Sequence, residues 1–155
     1  MSRDNEFDDE IEDELDEDEL DEQDRRVAAI LGEAHAEVSG KTLKKYLAYL
    51  KQNVELPCPI TGIEDFPWEE RYVFGYGSQK EYEELKKNRP SYTDTFDLLG
   101  FIDEIDEWTG LQVEARRLSD KKKFSLQLDY VKATDENSKN YQLLDDYAVW
   151  FVNHR

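Results

Sequence analysis

From Arg25 onward the hydrophobic positions follow two periods in turn. Val27, Ile30, Leu31, Ala34 and Val38 recur at about 3.6 residues, with Asp24 placed to cap a helix. Ser39-Gly40 interrupts that pattern. Leu43, Tyr46, Leu47, Leu50 and Val54 then stand at i, i+3, i+4, i+7 and i+11, with Lys41, Lys44, Lys45 and Lys51 facing out. Pro57 and Pro59 in "ELPCPITG" end this second helix. "RYVFGYG" (71–77) alternates as a short strand. Ser78 then opens S-x-x-E with Glu81, a capping box for a helix over Tyr82 and Leu85 that Pro90 stops.

Beyond Pro90 the period shortens to two. The stretches 94–105, 110–120 and 123–133 predict three successive strands joined by tight turns. After a polar loop at 135–140 and a turn at Asp145-Asp146, Tyr147, Val149 and Phe151 alternate with Ala148, Trp150 and Val152 as a last strand. Helices first and short strands afterwards place the chain in the α+β class. N-terminal helices are followed by a small, strongly bent antiparallel β-barrel, SH3-like in size. Three parts are expected: an acidic tail over 1–24, a helical segment over 25–54, and a barrel domain over 55–155.

Charge sharpens this division. The 155 residues carry 38 acids against 20 bases, a formal net charge of −18. Residues 1–24 alone hold fifteen acids and one base, Arg3. Their mutual repulsion exceeds what Phe7, Ile11, Leu15 and Leu20 can bury, so this segment is expected to be disordered, with a basic protein as its natural partner. Nucleic acid and anionic membrane are excluded as partners, since both need a basic face. There is no apolar run near the length of a membrane span, and the acidic N-terminus is unlike a secretory signal. A cytoplasmic location follows as the default.

Catalytic chemistry finds little footing. His35 and His154 are the only imidazoles, one expected in a helix and the other at the C-terminus, and neither lies beside a serine nucleophile. With the single Cys58 they supply no zinc-ligand set. "GYGSQK" (75–80) lacks the spacing of a phosphate-cradling loop. The chain is therefore not expected to be an enzyme.

Cation binding is better founded. Acids cluster at Glu64, Asp65, Glu69 and Glu70, along the run from Asp94 to Glu107, and at the Asp135-Glu136 and Asp145-Asp146 turns. None has the spacing of an EF-hand loop. The middle cluster is the most pointed. "FDLLGFIDEIDEWTG" (96–110) begins as a core strand and ends in Asp103, Glu104, Asp106 and Glu107. Four carboxylates converging at a hairpin tip repel one another, a cost that a divalent ion would remove. The competing reading is a solvated tip with Lys121, Lys122 or Lys123 of the next turn as counter-ions.

The strings "LPCPITG", "RPSYTD", "LSDKKKFSL" and "NYQLLDDYAVWF", within residues 55–152, resemble the small cyanobacterial calcium-binding proteins of the CcbP type. The resemblance implies a compact domain with a small β-barrel. It also implies Ca²⁺ held by acidic side chains without an EF-hand, and a role in buffering or sensing cellular calcium. Asp94, in "SYTDTF", falls in a stretch similar to that family's calcium-binding region. Asp97, Asp103, Glu104 and Asp106 join it as candidate ligands on clustering alone. The long acidic extension and the helices of 25–54 depart from the family. They leave as an alternative a protein–protein interaction module with an acidic regulatory tail.

Overall fold

The computed structural model describes residues 20–155. Nearly all of the expected acidic tail lies outside the described residues. Helix α1 spans Glu22–Leu31 and α2 spans Gly40–Asn53. Strand β1 is Cys58–Gly62, followed by a 3-10 turn at Pro67–Glu69, the short helix α3 (Glu70–Val73) and α4 (Gln79–Leu85). Strands β2 (Thr95–Phe101), β3 (Gln112–Arg117) and β4 (Lys123–Gln127) come next. A 3-10 turn (Leu128–Tyr130), β5 (Val131–Ala133) and α5 (Lys139–His154) complete the order. Among the described residues no helix is long and apolar enough to cross a membrane.

The five strands form one antiparallel sheet in the order β4-β3-β2-β1-β5. The α+β class holds, but the sheet is open, with β4 and β5 as its edges, and is not a closed barrel. Alternate residues put Cys58, Ile60, Phe96, Leu98, Val113, Ala115, Leu126, Val131 and Ala133 into one buried core. Helices α1, α2 and α5 complete that core with Val27, Leu31, Leu43, Tyr46, Leu50, Tyr147, Trp150 and Phe151.

Several expectations change. Asp21, not Asp24, caps α1 by accepting the Asp24 N–H at 2.7 Å, and Gly32 at φ 95° ends the helix. Ala34, His35 and Val38 therefore lie outside it. α2 follows its pattern closely, opened by a reciprocal cap between Ser39 and Thr42. "RYVFGYG" is not a strand: α3 takes its first residues, and Phe74 and Tyr76 protrude into solvent. Ser78 does cap α4, accepting the Glu81 N–H at 3.2 Å.

The last expected strand is instead the long helix α5. Asp145 and Asp146 lie within it rather than in a turn, and Asp146 anchors α1 through Arg26 at 2.7 and 3.0 Å and Gln23 at 2.9 Å. His35, expected in a helix and apart from the other imidazole, stacks on His154 with ring centres 5.4 Å apart.

Contact between the β2–β3 hairpin and α5 is close. The Tyr147 hydroxyl accepts the buried Leu111 N–H at 2.8 Å. Gly110, at φ 70°, has no room for a side chain, because an added Cβ would come within 2.5 Å of that hydroxyl. Replacing Tyr147 by Phe leaves the Leu111 N–H buried and unpaired, and is expected to cost about 1–3 kcal/mol in urea unfolding. Trp108→Ala, which removes a side chain that stands in solvent, should leave the midpoint unchanged.

Candidate metal centre

The run from Asp94 to Glu107 does not act as a single cluster, because most of its acids already have protein partners. β2 ends at Phe101, with a register shift between Leu98 and Gly100. Residues 102–105 then run without regular structure to a tight turn closed by the Gly110 N–H to the Asp106 carbonyl at 2.7 Å. The two-residue alternation expected through Ile105 therefore stops four residues early.

Asp94 stands at the start of β2. Its Oδ2 accepts the Ser91 N–H at 2.9 Å and pairs with the Arg117 Nη1 at 3.0 Å. Arg117 is almost wholly buried, its guanidinium over the Phe124 ring. It also donates to the carbonyls of Lys86, Lys87 and Arg89, at 2.9–3.0 Å, and in bidentate fashion to Asp120. Hydrogen bonding to Arg117 holds the Asp120 carboxyl down at about 2. A cation at Asp94 would have to share its carboxylate with this guanidinium. Asp97 lies on the outer face of β2, opposite Pro59 and Arg116.

At the far end the acids divide again. Asp103 pairs with Lys51 of α2, so the tip's counter-ion comes from the helical segment rather than from Lys121–Lys123. Lys122 is occupied elsewhere, with the Lys87 carbonyl and Asn88. The Glu107 Oε2 accepts the Gly40 N–H at 2.8 Å, placing a carboxylate at the positive end of α2. Asp106 accepts the Trp108 N–H at 2.7 Å in an Asx turn. Glu104 makes no hydrogen bond or ion pair among the described residues.

Glu104 and Asp106 line one open groove of about 550 Å³ together with Gln112 and Ser125. This groove offers two exposed carboxylates, an amide oxygen and a hydroxyl. That donor set suits a hard cation, which takes 6–8 oxygens including water and carbonyls. Among the described residues no three His, Cys, Asp or Glu side chains gather closely enough to hold a metal by themselves. Any ion here completes its shell with neutral oxygens and water.

Two other acids stand out. Glu69, one of the acids clustered in sequence, is fully buried and accepts from Phe66 N, Tyr82 Oη, Ser91 Oγ and Tyr92 N at 2.6–3.3 Å, so it ties α4 to the 91–92 turn. Asp129, which no sequence pattern singled out, is 7% exposed, and its Oδ1 has no hydrogen-bond partner. Burial raises its carboxyl to about 6, against weaker opposing pulls from its own backbone N–H and from Arg155. An isolated Asp between Leu128 and Tyr130 carries no sequence signal beyond its interruption of apolar positions.

No family model matches the chain, and no curated protein matches it. Its fold is shared with solved calcium-binding proteins. A calcium-binding protein solved in its calcium-binding form superposes with a TM-score of 0.53 at 16% identity, over 90% of this chain and 97% of that one. The crystal structure of Anabaena CcbP matches with the same TM-score and coverage at 14% identity. The chain thus has the CcbP fold, as the resemblance in its sequence implied.

Arg117→Met strips partners from Asp94, Asp120 and three carbonyls, and is expected to cost about 3–5 kcal/mol in chemical unfolding. Because the folded Asp120 carboxyl lies below its unfolded value, its contribution is present above about pH 4 and is lost as pH falls toward 2. The wild type should lose that contribution on acidification and Arg117→Met should not.

Asp129 has the opposite sign. The folded chain keeps its proton up to about pH 6 and the unfolded chain releases it near 4, so stability falls as pH rises through that window. Asp129→Asn should remove the fall and stabilise the protein at neutral pH by on the order of 2 kcal/mol, read from thermal melts across pH.

Proposed function

We propose that the chain is a calcium-binding protein of non-EF-hand design that buffers or senses cellular Ca²⁺. The observation that carries this reading is the oxygen-lined groove of Glu104, Asp106, Gln112 and Ser125. It occurs on a fold shared with a protein solved in its calcium-binding form. Of the five candidate carboxylates, Glu104 and Asp106 serve as direct ligands, and Asp103 joins them when Lys51 releases it. Asp94 and Asp97, at the other end of β2, belong to a second, weaker locus in which the Asp94–Arg117 pair competes with the ion. Carboxylate oxygens supply the charge that selects a divalent cation, while the amide, hydroxyl and water oxygens favour the larger Ca²⁺ over Mg²⁺.

Trp108, 86% exposed and two residues from Asp106, provides the readout. Terbium bound at the turn should show emission sensitised by this indole, and Ca²⁺ should displace it at lower concentration than Mg²⁺. Glu104→Gln with Asp106→Asn removes charge at constant shape and should weaken binding roughly tenfold or more. Sensitised emission unchanged in that double variant would move the site elsewhere.

A further inference from the structure

A second acidic concavity is lined by a set of residues distinct from that of the Glu104–Asp106 groove. It is a cleft of about 540 Å³ between the segment after β1, the Leu128–Tyr130 turn and the C-terminal half of α5. Glu64, Asp65, Glu70, Asp129 and Asp145 all line it, and the Asp145 Oδ2 also accepts from the Gln23 amide at 3.1 Å. Residues far apart in sequence thus bring two of the acid clusters to one place. Like charges gathered on a cleft wall raise its affinity for cations.

Two further features set the kind of cation. The first is Asp129 itself. It lines the cleft, it is more than nine-tenths buried, and its Oδ1 accepts no hydrogen bond. A buried carboxylate with one oxygen unpaired is costly to hold charged, and a ligand that donates to the carboxylate recovers part of that cost. Arg155 is the only cationic side chain lining the cleft, and it makes no ion pair with Asp129. Its guanidinium lies over the Phe151 ring at 5.0 Å, and its Nη1 stands 3.5 Å from the Trp108 carbonyl.

The second feature is apolar. Ile63, Val149 and Val152, three of the exposed large hydrophobic side chains, line the same cleft. A bare metal ion would leave them in water. Among the described residues no three metal-ligating side chains converge, so the negative charge is spread along the cleft rather than focused at a point. Spread charge beside an apolar strip is complementary to an elongated cation with methylenes between its charges.

We propose that this cleft binds an aliphatic ammonium ion of the polyamine class, with an ammonium group on Asp129 and the methylene chain along Val149 and Val152. The proposal is independent of the calcium reading, which rests on a separate set of residues, Glu104, Asp106, Gln112 and Ser125. A free polyamine would also associate loosely with the acidic residues 1–24, so the test must report position.

The test is a titration of the full-length chain with spermidine at physiological ionic strength, followed by amide NMR. The amides of Ile63, Asp129, Val149 and Val152 should shift together and saturate. Asp129→Asn should weaken that response roughly tenfold and leave shifts in residues 1–24 unchanged. Val152→Lys, at an exposed position that does not perturb the core, should weaken it as well by placing a resident ammonium at the rim. Shifts confined to residues 1–24 would overturn the proposal, as would a cleft response indifferent to both substitutions. A cleft that answers Ca²⁺ at lower concentration than spermidine would also overturn it. Failure here leaves the Ca²⁺ response at Glu104 and Asp106 untouched, and the converse also holds.

Discussion

Burial of a single guanidinium organises the middle of this molecule. Arg117 sits at the end of β3, on the same face as Phe96, and spends its donors on three carbonyls after α4 and on Asp94 and Asp120. It therefore closes the C-terminal end of a short helix and fixes the entry to β2 with one side chain. Glu69 performs the matching task with the opposite charge, collecting two hydroxyls and two backbone N–H groups in the interior. Between Ile63 and Asp94 there is little regular structure to bury. These two satisfied charges supply the order that a larger hydrophobic core would otherwise provide.

That constraint also decides which acids are available for anything else. Glu69, Asp94, Asp120 and Asp146 are held by internal partners, while Asp103 and Glu107 reach across to α2. An acidic composition therefore overstates the capacity for cations. Among the described residues, acids share a concavity with one another at two places that the account uses, the Glu104–Asp106 turn and the cleft around Asp129. These differ in character: exposed oxygens with neutral helpers at the first, a buried carboxylate beside apolar side chains at the second.

The legible parts of the fold were those with one dominant period. α2 followed from Leu43, Tyr46, Leu47 and Leu50, and β2, β3 and β4 from their alternation, since each element buries one face. α5 is not legible as a helix because Ala148 to Val152 is apolar in both phases of a two-residue repeat. Such a run fits a strand or a buried helix equally, and only Leu143 and Leu144 on the preceding turn extend the helical face. "RYVFGYG" failed in the same way. In the candidate site, Glu104 and Asp106 were visible as part of an acidic run. The pairing of Asp103 with Lys51 and the solitude of Asp129 were not, because both depend on contacts between distant segments.

Calcium binding remains the central claim, and calorimetry on the full-length chain tests it most directly. Titration with Ca²⁺ in excess monovalent salt, which screens loose association with the acidic N-terminal residues, should give a saturable heat that Mg²⁺ does not reproduce. That heat should fall sharply when Glu104 and Asp106 are replaced by Gln and Asn. Equal heats from the two ions, or a Ca²⁺ heat that vanishes with added monovalent salt, would contradict the account.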